Sequence, residues 1–268
     1  MRILVITPTL GTSPWLDATV ASVAQFGPTC THVLVAPVAR LEELSRRYPA
    51  LRVVPEPEAG TGMYAAINAG LAEGTDWSGF TYINDDDLLL PRFSQVIEGL
   101  RHNPTGAVYG GVKLIGAEGN SLGSIPISPW PSLNRRLYAQ RVEPVYQHGT
   151  IFSRHLYERM GPLDESFRFC GDTEYMARAC VAGLPFRCAT MRNVAAFRLR
   201  PGQLTKNLPL MQAESNRAHA KLDLPARRIT LQHRWARLVF RAFNLPVYLE
   251  RIARHGPIRF GELLARGE

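Results

Sequence analysis

Long apolar runs are missing from this chain of 268 residues. A helix that spans a membrane needs roughly 18 consecutive apolar residues, and no stretch reaches that length. The opening MRILVITPTL has a single basic residue, and its short apolar run ends at Pro8. A secretory signal requires a longer run followed by a small-residue cleavage site. We therefore expect neither a membrane-spanning helix nor an export signal.

Paired cysteines and an even distribution of charge are also missing. The four cysteines show no CxxC spacing, which disfavours a zinc site, and scattered thiols are typical of the reducing cytoplasm. Residues 226–268 hold nine arginines against three glutamates, so six of the eight net positive charges lie there. A basic tail on a nearly neutral body predicts an anionic partner. A membrane surface fits better than nucleic acid, because the arginines are confined to the tail.

Short β-branched runs alternate with helical periodicity over the first hundred residues. The pattern predicts strands at 3–7, 32–36, 51–54 and 79–83 and helices at 15–26, 39–48 and 63–73. This alternation is typical of an α/β fold with a mostly parallel central sheet and helices on both faces. In such sheets ligands bind beyond the carboxyl ends of the strands.

The pattern changes after residue 101. Residues 107–125 predict an antiparallel pair of strands with a turn at 118–120. A short strand near 150–152 and a helix over 173–182 follow, and from residue 209 onward the periodicity is helical only.

Three adjacent carboxylates, Asp85, Asp86 and Asp87, directly follow the predicted strand GFTYI. Such carboxylates repel one another and are costly to keep ionised unless a cation binds them. Their oxygens suit Mg²⁺ or Mn²⁺, which also bridge substrate phosphates. In an extended backbone Asp85 and Asp87 point to the same side, so we expect this pair to hold one metal ion. The alternative is a solvated acidic turn that caps the helix beginning near Pro91.

Two further segments can carry chemistry. The glycines of GTGMYAAINAG, residues 60–70, allow close backbone approach, and the helix beginning at Met63 offers free N–H groups to an anion. An ordinary loop-to-helix turn is the alternative there. In FRFCGDTEYMARA, Asp172 opens a helix, where a catalytic carboxylate and a helix cap are compatible roles.

Four segments in this order resemble the inverting glycosyltransferases of family 2, which have the GT-A fold. They are ITPT, EAGTGMYAAINAGL, INDDDLLLP and HGTIFSRHLYERMGPLDESFRFCGDTEYMAR, and the similarity runs from Ile3 to Thr205. The resemblance implies a GT-A catalytic domain over 1–206, followed by a basic helical C-terminal extension over 207–268. It also implies transfer of a sugar from a nucleotide-sugar donor to an acceptor hydroxyl with inversion, dependent on Mn²⁺ or Mg²⁺, in polysaccharide or glycoconjugate synthesis.

The resemblance assigns roles to residues of this chain. Asp172 matches the catalytic base, and Asp85 and Asp87 match the ligands of the metal and the donor diphosphate. Contacts with the donor are expected along the matching segments and in the polar stretch FRLRPGQLTKN. The alternative for that stretch is a surface linker. The expected donor contacts are Thr7, Pro8, Thr9, Glu58, Gly62, Asn68, Asp85, Asp86, Arg198, Thr205 and Lys206. His148 and Gly171 are expected on the acceptor side, although His148 can equally be a packed histidine.

Two acidic positions that are common in the family differ here. One, after the second strand, is occupied by Ala36-Pro37, and the other is Gly60. The nucleotide base is therefore left open, with Glu56 or Glu58 as a candidate substitute. The acceptor is expected to be a saccharide, free or lipid-linked, and a homodimer is a further expectation.

One segment of the tail, ITLQHRWARLVFRAF, has amphipathic spacing. One helical face carries the apolar residues Leu231, Trp235, Leu238, Val239 and Ala242. The other face carries Arg234, Arg237 and Arg241. A basic amphipathic helix with a tryptophan can lie in a membrane interface. Such contact would place the protein peripherally on the inner face of the cell membrane. Alternatively, the helix packs on the catalytic domain with its arginines in water.

Two other classes of protein share some of these features. A nucleotidyltransferase has a similar sheet and carboxylate–metal site, but ITPTLGTSP lacks the Gly-rich, basic signature expected after the first strand. A non-catalytic carbohydrate- or nucleotide-binding protein would account for the charge and not for the three adjacent carboxylates.

Overall fold

A computed structural model of the chain describes residues 1–57, 62–200, 208–222, 224 and 229–257. The strands are β1 Ile3–Pro8, β2 Cys30–Ala36, β3 Arg52–Pro55, β4 Gly79–Tyr82, β5 Leu88–Leu89, β6 Ala107–Ile115, β7 Ser121–Ile125, β8 Thr150–Ser153 and β9 Phe186–Arg198. The helices are α1 Leu16–Ala24, α2 Leu41–Arg47, α3 Met63–Glu73, α4 Phe93–Arg101, α5 Asn134–Tyr138, α6 Arg154–Met160, α7 Gly171–Val181, α8 Leu208–Lys221, α9 Leu231–Phe243 and α10 Leu245–His255.

The N-terminal half forms the predicted parallel sheet. Strands β3, β2, β1 and β4 lie side by side in this order, and all three pairs are parallel. Alternate side chains of β1 and β2 face opposite sides of the sheet, where α3 covers one side and α1 and α2 the other. A Cβ at Gly70 of α3 would lie 2.7 Å from Ile6, so the glycine lets this helix pack closely on β1. This packing fixes the edge at which β1 and β4 end.

The other half of the sheet is mixed. Beyond β4 the order is β8, β6, β9 and β5, with β7 paired to β6 as an antiparallel hairpin. Strand β8 is antiparallel to both neighbours, β5 is antiparallel to β9, and β6 with β9 is parallel. The predicted α/β class is confirmed, while the prediction of a mostly parallel sheet holds only for the N-terminal half. The difference arises because β8 returns against β4 instead of entering through another strand–helix–strand crossover.

The C-terminal helices pack on the rest of the protein. Glu214 of α8 accepts the backbone N–H groups of residues 168–170, at 2.7 to 3.0 Å, just before α7 begins. Helix α9 packs on α5 through Ala236 and Phe240. His255 at the end of α10 is hydrogen-bonded to the carbonyl of Leu122 in β7, at 2.9 Å. The division of the chain at residue 206 remains a prediction.

Helix length limits how the protein can contact a bilayer. In the described part of the chain, each helix is too short or too polar to cross a membrane.

Candidate active site

The acidic block forms a turn beyond the carboxyl end of β4. Asp85 and Asp86 occupy this turn, and the N–H of Asp87 donates to the carbonyl of Asn84 over 3.2 Å. The extended backbone assumed for Asp85 and Asp87 is therefore absent, and their joint role as metal ligands stays a prediction. Within the described ranges, no cluster of three acidic, histidine or cysteine side chains is arranged to hold a metal ion. The turn does not cap α4, which begins at Phe93.

Three hydroxyl groups from the segment after β1 hold this turn. Thr9 Oγ1 donates to Asp85 Oδ2 over 2.6 Å, and Ser13 Oγ donates to the carbonyl of Asp85 over 2.8 Å. Thr19 Oγ1 of α1 donates to the carbonyl of Asp87, also over 2.8 Å. The structure thus brings Thr9, a predicted donor-binding residue, together with the acidic block at the ligand-binding edge of the sheet.

Arg198, at the end of β9, clamps the turn from the other side. Its backbone N–H donates to Asp87 Oδ1 over 2.8 Å, and its guanidinium donates to the carbonyls of Asp86, Gly116 and Ala117 over 2.7 to 3.0 Å. The side chain is buried. The expected contact of Arg198 with the donor diphosphate remains a prediction, while these bonds tie its Nε and Nη1 atoms to backbone carbonyls. Its observed role is to position Asp86 and Asp87.

Burial makes the acidic turn costly to ionise. The pKa of Asp86 is raised to about 7, first by burial and next by the charge of Asp87, although Arg200 forms an ion pair with Asp86 at 2.5 Å. The pKa of Asp85 is also raised, chiefly by burial, while its hydrogen bond with Thr9 acts in the opposite direction. A cation that approaches these buried carboxylates stabilises their ionised form. These carboxylate oxygens are therefore suitable ligands for a hard divalent cation.

Asp172 lines a cavity of about 430 Å³ that lies between α5, α7 and α8. It is the second residue of α7, and its Oδ1 accepts the N–H of Thr173 over 2.8 Å. The residue that precedes the helix is Cys170, so the prediction that Asp172 caps α7 is wrong by position. The carboxyl group instead faces the cavity, where aromatic and polar side chains surround it: Tyr138, Tyr146, His148, Phe169, Phe197, Gln212 and Ser215.

Gly171 and Tyr64 set the position of Asp172. The hydroxyl oxygen of Tyr64 accepts the N–H of Gly171 over 2.9 Å and lies 3.4 Å from Asp172 Oδ1, to which it can donate. A Cβ at Gly171 would lie 2.6 Å from the Tyr64 ring. Gly171 was predicted to contact the acceptor, and the structure gives it this packing role next to the cavity. Only glycine lets the start of α7 approach the ring so closely.

Glu143 is a second carboxylate in the same cavity, and no motif in the sequence identified it. It receives a hydrogen bond from the hydroxyl of Thr173, the residue that follows Asp172. Burial raises the pKa of Glu143 to about 7, and the charge of Asp172 adds to the shift. The pKa of Asp172 is likewise raised, chiefly by burial. Two carboxylates thus share one buried site, where each binds a proton more tightly than an exposed carboxylate does.

His148 connects the acidic turn with the cavity. Its Nε2 lies 3.3 Å from Asp87 Oδ2, an ion-pair distance, and its ring also lines the cavity that contains Asp172. Burial lowers the pKa of His148, but the negative charges of Asp87, Asp172 and Asp86 outweigh burial, and the net pKa is raised. His148 was expected on the acceptor side, which remains a prediction, and the structure places it both in the cavity of Asp172 and next to Asp87.

Several buried polar atoms around this region have no hydrogen-bond partner among the described residues. They include Asn84 Oδ1 beside the acidic turn, Tyr82 Oη at the end of β4, and Nδ1 of His148. Buried polar groups in native proteins are nearly always paired with protein or with bound molecules. Their accumulation where the turn meets the cavity is what a site for a polar ligand requires.

Other predicted donor-binding residues lie within the protein framework. Thr7 is fully buried, and its hydroxyl is hydrogen-bonded to His32 Nε2 at 2.9 Å. Asn68 ties α3 to the segment before α7, because its amide donates to the carbonyl of Leu163 over 2.9 Å and accepts the N–H of the same residue over 3.1 Å. Their contacts with the donor remain predictions, and the structure shows these polar groups bonded inside the fold.

The remaining predicted residues are at strand and helix ends or outside the described part. Pro8 is the last residue of β1, and Gly62 precedes α3 with a φ of 87°, a conformation that favours glycine. Glu58, Thr205 and Lys206 lie outside the described residues.

No protein-family model matches this sequence, and no curated protein matches it either. Solved structures do match. S. aureus TarS has a TM-score of 0.58 and 14% identity, and the match covers 99% of this chain and 55% of that one. TarS 1-349 in complex with UDP has a TM-score of 0.59 and 14% identity, with 99% and 88% covered.

A mannosyltransferase also matches. PcManGT from Pyrobaculum calidifontis, in complex with GDP-Man and Mn²⁺, has a TM-score of 0.56 and 18% identity, with 99% of this chain and 79% of that chain covered. The protein therefore has the α/β fold of these glycosyltransferases, which confirms the predicted fold class. It spans about half of the longer TarS chain.

Proposed function

We propose that this protein is a nucleotide-sugar glycosyltransferase of the GT-A type, similar to the inverting enzymes of family 2. One observation carries the proposal. The acidic turn beyond β4 and the carboxylate cavity at Asp172 adjoin each other through His148, which contacts Asp87 and lines the cavity. A transferase needs this arrangement, because the donor and the acceptor must meet at one place.

The donor is expected at the acidic turn. Asp85 and Asp87 would hold Mn²⁺ or Mg²⁺ beside Thr9, and the ion would offset the charge that develops on the leaving nucleoside diphosphate. The raised pKa of Asp85 supports a cation there, as do the GDP-Man and Mn²⁺ bound to PcManGT. GDP and UDP both occur among the similar structures, so the base is left to experiment.

The acceptor is expected in the cavity at Asp172. Its hydroxyl oxygen attacks C1 of the sugar from the face opposite the diphosphate, the C1–O bond to the diphosphate breaks with its electron pair, and Asp172 takes the hydroxyl proton. The N–H of Thr173 and the hydroxyl of Tyr64 favour the ionised form of Asp172. The pKa of Glu143 is raised to about 7, so below that pH Glu143 carries a proton and does not repel an ionised Asp172.

A binding and turnover experiment tests this proposal. The protein is titrated with UDP, GDP and dTDP in the presence of Mn²⁺, and then incubated with the matching nucleotide-sugars to follow slow hydrolysis or transfer. We expect one nucleotide to raise the melting temperature and its sugar to be consumed. The absence of both effects with every nucleotide would exclude a nucleotide-sugar transferase.

The saccharide acceptor, the homodimer and the cytoplasmic location remain predictions from the sequence. A role in polysaccharide or glycoconjugate synthesis is part of the same proposal. The size and aromatic lining of the cavity suit a sugar ring, because sugar rings stack on aromatic side chains.

A further inference from the structure

Helix α9 packs on the protein through a face that the amphipathic pattern did not indicate. Ala236 and Phe240 are buried against α5. Most of the predicted apolar face is instead turned to solvent, since Leu231, Trp235 and Leu238 expose 82, 57 and 65% of their surface. Val239 of that face packs beside Ala236 and Phe240. Packing on the catalytic domain and contact with a membrane, the two alternatives left open by the sequence, are therefore both compatible with the structure. The helix is docked, and its apolar face is still uncovered.

The exposed apolar face continues on α10. Leu245, Leu249 and Ile252 share one side of this helix at helical spacing, and each is about half exposed. Only Asn244 separates the two helices, and its amide donates to the carbonyls of Ile127 over 3.0 Å and Phe240 over 2.9 Å. Both helices are thus held on the protein while their outer sides remain apolar. We call these six residues the apolar stripe: Leu231, Trp235, Leu238, Leu245, Leu249 and Ile252.

Positive charge borders the apolar stripe. Arg234 and Arg241 of α9 are exposed, and Arg136 of α5 lines a shallow groove together with Leu231 and Trp235. The sequence from 229 to 257 contains five arginines and a single acidic residue. That residue, Glu250, forms an ion pair with Arg254 of the same helix, at 3.1 Å. The stripe therefore combines an uncovered apolar face with unbalanced positive charge.

We propose that the apolar stripe lies in the interface of a bilayer that contains anionic lipids. Apolar side chains enter the boundary between headgroups and acyl chains, while neighbouring arginines contact lipid phosphates. Trp235 suits this boundary, because its ring is apolar and its indole N–H is polar. The proposal does not depend on the proposed transferase activity.

A second copy of the chain fits the stripe less well. Two copies facing each other through the same surface would bring their arginine rows together, and like charges at an interface are unfavourable. Nucleic acid also fits less well, because its phosphates favour a basic surface and the centre of this one is aliphatic. Anionic lipid satisfies the apolar and the charged parts of the surface together.

Vesicle flotation with the full-length protein tests the proposal. The vesicles are phosphatidylcholine alone, or phosphatidylcholine with phosphatidylglycerol at about 7:3 by weight, at low and at physiological salt, where charge attraction is screened. We expect the wild type to float with the anionic vesicles, with binding at least ~10-fold weaker on neutral vesicles and weakening with salt.

Two variants assign the binding to the stripe. Trp235→Gln combined with Leu238→Gln removes apolar surface, and Arg234→Gln combined with Arg241→Gln removes charge. We expect each pair to reduce anionic binding by ~10-fold or more, the first because apolar burial is lost and the second because attraction to anionic lipid is lost. Val38→Gln is the matched control, because Val38 is 71% exposed and lies outside the stripe. Hydrolysis of the nucleotide-sugar should be unchanged in all of them, which separates this test from that of the proposed function.

Three results would overturn the proposal. The first is a wild-type protein that stays in the soluble fraction with anionic vesicles at low salt. The second is a dimer in solution that the Trp235→Gln and Leu238→Gln pair dissociates, which would make a second copy the occupant. The third is tight binding of single-stranded RNA that the two arginine substitutions abolish.

Discussion

The Nε2 atom of His148 lies 3.3 Å from Oδ2 of Asp87, and the same imidazole lines the cavity of Asp172. His148 is thus the side chain that touches both halves of the proposed active site. It follows β6, β7 and α5 in the chain and reaches the acidic turn because β8, which begins two residues later, pairs with β4.

Replacing His148 should uncouple the two halves. In His148→Gln we expect kcat/KM for transfer to fall by ~10- to 100-fold, because Asp87 loses its imidazole neighbour at the point where donor and acceptor meet. His155→Gln is the matched control, since His155 is exposed on α6. Steady-state kinetics with the donor identified by titration measure the effect. A loss of the same size in both variants would contradict the role given to His148.

Replacing Asp172 should remove the base and preserve the fold. Asp172→Asn keeps the oxygen that accepts the Thr173 N–H, so the melting temperature and the donor affinity should stay close to those of the wild type. The transfer rate should fall at least ~100-fold, because a general base contributes about 10²- to 10⁴-fold.

Asp76→Asn serves as the control for this variant, because Asp76 is exposed and forms an ion pair with Arg2 at the surface. Transfer at nearly the wild-type rate by Asp172→Asn would leave Asp172 with a structural role. Glu143 would then be the next carboxylate to replace.

Glu143 should make stability depend on pH. Its pKa is raised from an ordinary value near 4.5 to about 7 in the folded protein, so the folded state binds a proton more tightly than the unfolded chain. The free energy of unfolding therefore falls as pH rises from about 4.5 to about 7. We expect the wild type to lose melting temperature over this range and Glu143→Gln to lose less. Thermal unfolding between pH 4.5 and 8 measures both, and parallel curves would contradict the prediction.

The sequence predicted the strands and helices of the parallel half well, because β1, β2 and β4 are buried β-branched runs and α3 has regular spacing. The second half was harder. Strand β9 was not predicted, since its first residues mix apolar and polar side chains that are partly exposed, and its register against β6 shifts repeatedly. These irregularities depend on the partner strand, and the periodicity of a single segment carries no information about that strand.

The site residues also divide into some that the sequence predicted and others that it did not. Asp172, His148 and the acidic block were predicted because they lie in recognisable motifs. The structure brings them close together. Glu143 was missed because it reaches the cavity from an irregular segment before β8, with no motif around it. Arg198 and Asn68 were predicted as ligand contacts because they are polar, yet both bind backbone groups inside the fold. Polarity in a sequence does not distinguish a partner in the protein from a partner in the ligand.

Gly171 should tolerate no side chain. The Cβ of Gly171→Ala would lie 2.6 Å from the Tyr64 ring, which is itself fully buried. We expect a loss of about 1–3 kcal/mol in the free energy of unfolding, as for overpacked cores. Combining it with Tyr64→Leu should cost less than the sum of the two single changes, because the clash is then relieved. Urea unfolding of the four proteins measures this coupling, and simple additivity would contradict the packing role.

The acidic turn should make nucleotide binding depend on a divalent cation. UDP, GDP and dTDP are titrated with Mn²⁺, with Mg²⁺ and with EDTA, on the wild type and on Asp85→Asn and Asp87→Asn. We expect the preferred nucleotide to bind at least ~10-fold more weakly in EDTA and in each variant, because the ion bridges carboxylate and diphosphate oxygens.

The two variants also separate metal binding from folding. Asp87 accepts hydrogen bonds from Arg198 and Asn84, so Asp87→Asn can disturb the turn itself. Asp85 is less buried, and the bond from Ser13 to its backbone carbonyl does not involve the side chain, so Asp85→Asn should leave the melting temperature without ligand almost unchanged. A weaker affinity in Asp85→Asn at an unchanged melting temperature would therefore report the lost metal ligand. Equal nucleotide affinity in Mn²⁺, in EDTA and in both variants would show that binding requires no metal at this turn.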